Sequence, residues 1–153
     1  MSFQPDIVVA SPGQSSAHLV VEVRLRAEDN RNASAALKHY MLRMRSPTGI
    51  LVTRDRVSIF RDSFQSDSEQ SVQEVGAIPT SRIPELQSFA MGLSTDPVAF
   101  EDAVQSWLVQ LRNRMVHGFA TGVDPILGEH VMPALAMGEI RAGGPRSVRS
   151  AAG

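Results

Sequence analysis

Two short apolar runs near the start, each carrying one acid at a fixed place, constrain this chain more than anything that follows. Pro5-Asp6-Ile7-Val8-Val9-Ala10 and Leu19-Val20-Val21-Glu22-Val23-Arg24 are rich in Val, Ile and Leu, the composition of short buried strands. Between them Ser11-Pro12-Gly13-Gln14-Ser15-Ser16 reads as a turn, because Pro presets one φ angle and Gly accepts a positive one. The two strands are therefore expected to be neighbours, with the carboxylates of Asp6 and Glu22 meeting across the pair. A charge inside an apolar strand costs several kcal/mol unless it is paired or bound to a metal. Two such acids brought together point to a divalent cation. Each also has a plainer reading: Asp6 as a turn residue after Pro5, and Glu22 with Arg24, spaced i, i+2 on one strand face, as members of a structural ion pair.

The chain continues as a strand–helix–strand unit. Leu25 to Asn30 is polar and turn-like, and Asn30 or Asn32 is a fitting helix cap. A helix is expected from about Arg31 to Arg45, with Ala33, Leu37, Tyr40, Met41 and Met44 as its apolar stripe and Ser46-Pro47-Thr48-Gly49 as its stop. Gly49 to Thr53 reads as a buried strand and Val57 to Phe60 as a half-exposed one. A right-handed crossover makes the strands at 19–24 and 49–53 parallel.

Pro5-Asp6, a loop, and then an apolar strand carrying Glu22-Val23-Arg24, followed by this order of elements to about residue 62, resemble the PD-(D/E)XK nuclease superfamily. The resemblance implies an α/β fold: a small mixed sheet flanked by helices, as in the restriction-endonuclease core. It also implies a Mg²⁺ or Mn²⁺ site, with Asp6, Glu22 and the backbone carbonyl of Val23 as ligands, and phosphodiester hydrolysis in DNA. The superfamily's third motif residue is Lys, and here it is Arg24. Arginine can offset negative charge but does not give up a proton. Some members carry the Lys on the next helix, four residues before a Tyr; with Tyr40 in that role the position is Ala36, and Lys38 is turned about 200° away around the helix. The superfamily core opens with a helix and a strand, and the helix often supplies another acid. Four residues before Pro5 leave no room for them, so later elements, a second subunit in a homodimer or larger complex, or an absent upstream segment would complete the core. A nuclease fold that has lost activity and serves as a binding or assembly module is the alternative.

The second half is less informative. Residues 62–73 are rich in Ser, Gln, Asp and Glu and read as a mobile surface loop, with a short edge segment over Val75–Pro79. Thr80 or Ser81 is expected to cap a short helix through Met91. The clearest helix starts at Asp96-Pro97 and buries Phe100, Val104, Trp107, Leu108, Leu111 and Met115, with Gly118 ending it. Val131 to Ile140 fits either a strand or a short helix. The expectation is one domain over 1–140 and a disordered tail over 141–153, whose three arginines would touch phosphate weakly. His18, His39, His117 and His130 lack ligand spacing.

Composition excludes rather than selects. The 153 residues suffice for a single core, and the formal charge of −1 gives no overall basic field for nucleic acid. Lys38 is the sole lysine among 15 basic residues. Without cysteine there are no disulfides or thiolate metal sites, and without a long apolar run no membrane span is expected. The first residues lack the features of a signal peptide, which makes cytoplasmic the default.

Overall fold

The computed structural model describes residues 5–25, 30–117 and 123–143. It is a mixed α/β domain built on one six-stranded sheet, in the order β5-β4-β3-β2-β1-β6. Two of the interior strands are the ones the apolar runs predict: β1 (Ile7–Ala10) and β2 (Leu19–Arg24), antiparallel, with Ile7 opposite Val21. Helix α1 (Asn30–Arg43) then crosses over to β3 (Thr48–Thr53), which lies parallel to β2 in the register Glu22–Leu51 and Arg24–Thr53. β4 (Arg56–Asp62) returns antiparallel to β3.

α1 ends on its own backbone before the proline is reached. Arg45 adopts a left-handed φ of 51°, its N–H bonds to the Leu42 carbonyl at 3.3 Å, and the Ser46 N–H reaches back to the Met41 carbonyl at 2.9 Å. That paired closure satisfies carbonyls the last helical turn would otherwise leave open.

The sheet alternates its side chains between two packed faces, the period-2 rule of strands. Ile7, Val9, Leu19, Val21, Ile50, Val52, Val57 and Ile59 point to one side. There they meet Phe100, Val104, Trp107, Leu108 and Leu111 of helix α3 (Pro97–Val116). Val8, Val20, Leu51 and Phe60 point to the other side, where Ala33, Leu37, Tyr40 and Met41 of α1 cover them. Asp96 caps α3 by accepting the Val98 N–H at 3.0 Å, and Pro97 occupies its first turn, as the sequence indicates. The expected stop at Gly118 lies outside the described residues.

Three expectations are corrected. The segment read as a surface loop over 62–73 is an exposed irregular loop only over 63–68, and its ends belong to β4, to a 3₁₀ turn (Glu69–Ser71) and to the strand that follows. Asp62 ends β4, and its Oδ1 accepts the Ser71 hydroxyl at 2.7 Å and the Phe64 N–H at 2.8 Å. β5 (Val72–Pro79) then pairs along all of β4, so the edge element begins three residues earlier than Val75–Pro79 suggests. Its outward residues face solvent, which is why Gln73 and Glu74 look like loop residues. Secondly, Thr80 to Met91 is not one helix. Two single 3₁₀ turns, Thr80–Arg82 and Pro84–Leu86, precede the four-residue α2 (Gln87–Ala90), because Pro84 interrupts the pattern. Thr80 is no cap; its hydroxyl donates to the Thr53 carbonyl at 2.8 Å and ties this segment to the end of β3.

Thirdly, residues 139–142 belong to the sheet. After a π-type turn (Leu127–Val131) and α4 (Met132–Leu135), Glu139–Ala142 forms β6, antiparallel to β1. Arg141, read as the start of the tail, therefore lies in a strand opposite Val8. Gly138 makes the approach possible: a Cβ there would stand 2.6 Å from the backbone carbon of Ala10. The tail beyond Gly143 lies outside the described residues.

Candidate functional site

The site forms at the end of the sheet where β1 begins and β2 finishes. Asp6 directly precedes β1, and its backbone is held from both sides. Its N–H bonds to the Val21 carbonyl at 3.1 Å, and its carbonyl accepts the Gly143 N–H at 3.0 Å. One residue beyond the Ile7–Val21 pair, Asp6 falls opposite Glu22, so two strands deliver the two acids to one point. Both are buried, Glu22 to 1 % exposure and Asp6 to 5 %.

Arg24 joins them. Its Nη2 lies 2.7 Å from Glu22 Oε2, two residues earlier on the same strand, and its Nη1 lies 3.3 Å from Asp6 Oδ2 on the neighbouring strand. The same Nη1 donates to the Val23 carbonyl at 3.1 Å. Asp6 Oδ2 also accepts the Val23 N–H at 2.8 Å. The ion-pair reading of Glu22 and Arg24 thus describes a real contact, and it extends across to Asp6. Asp6, Glu22, Val23 and Arg24 are brought together, with Arg24 bridging the two acids.

One atom is left over. Glu22 Oε1 is buried and has no hydrogen-bond partner among the described residues. Such an oxygen is costly in a native protein and calls for an explanation, an ion among them.

A third carboxyl enters from α3. Glu101 hydrogen-bonds to Asp6 and, as a like charge, pushes its pKa upward. Burial is the larger cause of that rise, and together they carry Asp6 to about 6 despite the opposing Val23 N–H and Arg24. Glu22 goes further, to about 8, through burial first and the nearby Asp6 charge second, with Arg24 again opposing. From the opposite face, Tyr40 of α1 feels the same charges: burial, then Glu22, raise its hydroxyl above the usual value. Lys38 points elsewhere, with its Nζ 6.0 Å from the centre of the Phe60 ring.

Sequence reasoning missed Glu101, although a signal was present. It stands three residues before Val104 and seven before Leu108, in phase with the buried stripe of α3. An acid at a stripe position is the anomaly that marked Glu22 on its strand. Val131–Ile140, read as a strand or a short helix, holds α4 and the first two residues of β6, while Arg141 and Ala142 resemble an exposed tail.

Chemically, the donor set is hard oxygen: two buried carboxylates, a main-chain carbonyl, and a third carboxyl beside them. That set suits Mg²⁺ or Mn²⁺, and the orphaned Glu22 Oε1 is consistent with it. Among the described residues, no three or more His, Cys, Asp or Glu side chains form a ready metal cage. Any cation here would therefore lean on the Val23 carbonyl and on water. Among the same residues, no helix is long and apolar enough to cross a membrane. No protein-family model, curated protein or solved structure gives a significant match to the chain.

Proposed function

We propose that this chain hydrolyses phosphodiester bonds in DNA, using a divalent cation held by Asp6, Glu22 and the Val23 carbonyl. The observation that carries this reading is the meeting of two buried acids from adjacent strands, with Glu22 Oε1 lacking a hydrogen-bond partner among the described residues. The resemblance of Pro5-Asp6 and Glu22-Val23-Arg24 to the PD-(D/E)XK signature supports it. When bound, the cation supplies Lewis-acid polarisation of the scissile phosphate and acidifies the attacking water.

The protein's own groups do the rest. Asp6 and Glu22 fix the position of attack, because their backbones are locked in the sheet. With its pKa raised to about 8, Glu22 holds a proton at neutral pH while no cation is present, whereas Asp6, at about 6, is mostly ionised; a cation would displace the Glu22 proton. Glu101 adds negative potential at the same end, which favours a cation. Arg24, one-third exposed, offsets the charge that grows on the phosphate but cannot take a proton from water.

The second reading, a nuclease-like fold retained as a binding module, is favoured by Arg24 itself. It stands at the lysine position and already pairs with both acids. Cleavage of supercoiled plasmid with Mg²⁺ or Mn²⁺ by wild type, Arg24→Lys, and Arg24→Lys with Glu22→Ala separates the two. A preorganised electrostatic contact to the reacting centre is worth about 10²–10³ in rate. Activity that rises in the single variant and disappears in the double supports the nuclease; no cleavage by any of the three supports the binding module.

A further inference from the structure

Arg24 touches the very atoms proposed to hold the cation: Glu22 Oε2 at 2.7 Å, the Val23 carbonyl at 3.1 Å and Asp6 Oδ2 at 3.3 Å. Its N–H bonds point into the space between them. A Mg²⁺ or Mn²⁺ ion would need those oxygens at about 2.0–2.1 Å, around a centre that the guanidinium edge now fills. The two cations also repel, and the low local dielectric strengthens that repulsion. They cannot share the position. The side chain has somewhere to go, since it is 34 % exposed.

We propose that Arg24 is a built-in competitor for the divalent cation, closing the site by acting as its resident counter-ion and opening it by swinging toward solvent. The proposal rests on the cation-binding reading above. Displacement does more than clear the ligands. It turns a partly exposed guanidinium fully outward at the mouth of the site, where its planar fork matches two oxygens of a phosphodiester. A phosphate that captures Arg24 thereby helps the cation enter, and a bound cation helps capture the phosphate. Linkage requires the two effects to be equal in size.

Binding, rather than turnover, tests this. Free Mn²⁺ is counted by its paramagnetic resonance signal in titrations of wild type, Arg24→Gln and Arg24→Lys, each checked for a native melting transition. The Gln variant, without the positive charge, should bind Mn²⁺ about tenfold tighter than wild type or better. The Lys variant, whose compact ammonium cannot bridge all three oxygens, should fall between them. Equal or weaker binding by a folded Gln variant overturns the competition while leaving the cation site standing. If none of the three proteins binds Mn²⁺, the cation-binding reading falls and the inference goes with it. A measurement on wild type needs no variant at all. With diamagnetic Mg²⁺, the nitrogen-15 signals of the held Arg24 guanidinium should broaden and lose protection as the site saturates. Signals that persist unchanged at Mg²⁺ saturation overturn the proposal.

Discussion

Arg24 Nη2 sits 2.7 Å from Glu22 Oε2 within a single strand, while the other oxygen of the glutamate stays buried with no hydrogen-bond partner among the described residues. A guanidinium fork can bind both oxygens of a carboxylate at once. Here one arm goes to Glu22 and the other to Asp6 and Val23. The pair is therefore a junction between two strands, and disturbing it should be felt in several measurable ways.

The first is pH. In metal-free protein the folded-state values of about 6 for Asp6 and about 8 for Glu22 lie above those of unfolded carboxyls, about 4. Between those limits the native state holds more protons than the unfolded one, so stability falls as pH rises. The contribution is complete below about pH 4 and is lost as pH passes through 6 and then 8. Melting in EDTA should show this decline, and each kcal/mol lost lowers Tm by about 2–4 °C in a chain of this size. Glu22→Gln, which does not ionise, should flatten the upper part of the curve. A wild-type Tm that climbs from pH 5 to pH 8 contradicts the assignment.

The second concerns the acid on α3. Glu101→Gln removes a like charge beside Asp6, so the Asp6 pKa should drop from about 6 toward the ordinary carboxylate range. Carbon-13 carboxyl titration reads it directly. An unchanged Asp6 midpoint would mean that α3 does not bring its carboxyl to the site.

The third tests how α3 is anchored. Trp107 is 4 % exposed among Leu108, Leu111 and the sheet residues of the larger core. Truncation to alanine should cost ~3–5 kcal/mol, a large part of the stability of an ordinary domain. Chemical denaturation of Trp107→Ala, followed by circular dichroism, gives the value; a loss below about 1 kcal/mol is incompatible with this packing.

The fourth tests β6. Gly138→Val places a side chain against the Ala10 backbone, which has no flexible end to yield. Overpacking of this kind costs ~1–3 kcal/mol. Amide exchange should quicken selectively in β1 and β6, while β3 and β4 stay protected.

How much of this could be read from the sequence depends on whether the decisive contact was local. β1, β2, α1 and β3 were legible because each buries a continuous face, and Val8, Val20 and Leu37 announce it within a few residues. The convergence of Asp6 with Glu22 followed from one turn. Glu101 and β6 depend on pairings that cross almost the whole chain, such as Val8 with Arg141, and no window of sequence contains both partners. β5 was shortened because an edge strand presents Gln73 and Glu74 to water, and composition alone cannot separate that from a loop. Arg24 was identified as the departure from the motif lysine, but its triple contact needed coordinates.

The position of β6 has a consequence for synthesis. β1 and β2 leave the ribosome early and can pair at once. Glu101, and the strand that holds Asp6 from its other side, arrive only when α3 and residues 139–143 emerge. Until then Asp6 has a neighbour on one flank only, and the acids stand at an unfinished sheet edge. Within this chain, then, Asp6 gains its neighbours in sequence order, β2 first, Glu101 of α3 next and β6 after that, so the two acids can meet before the contacts that enclose Asp6 exist.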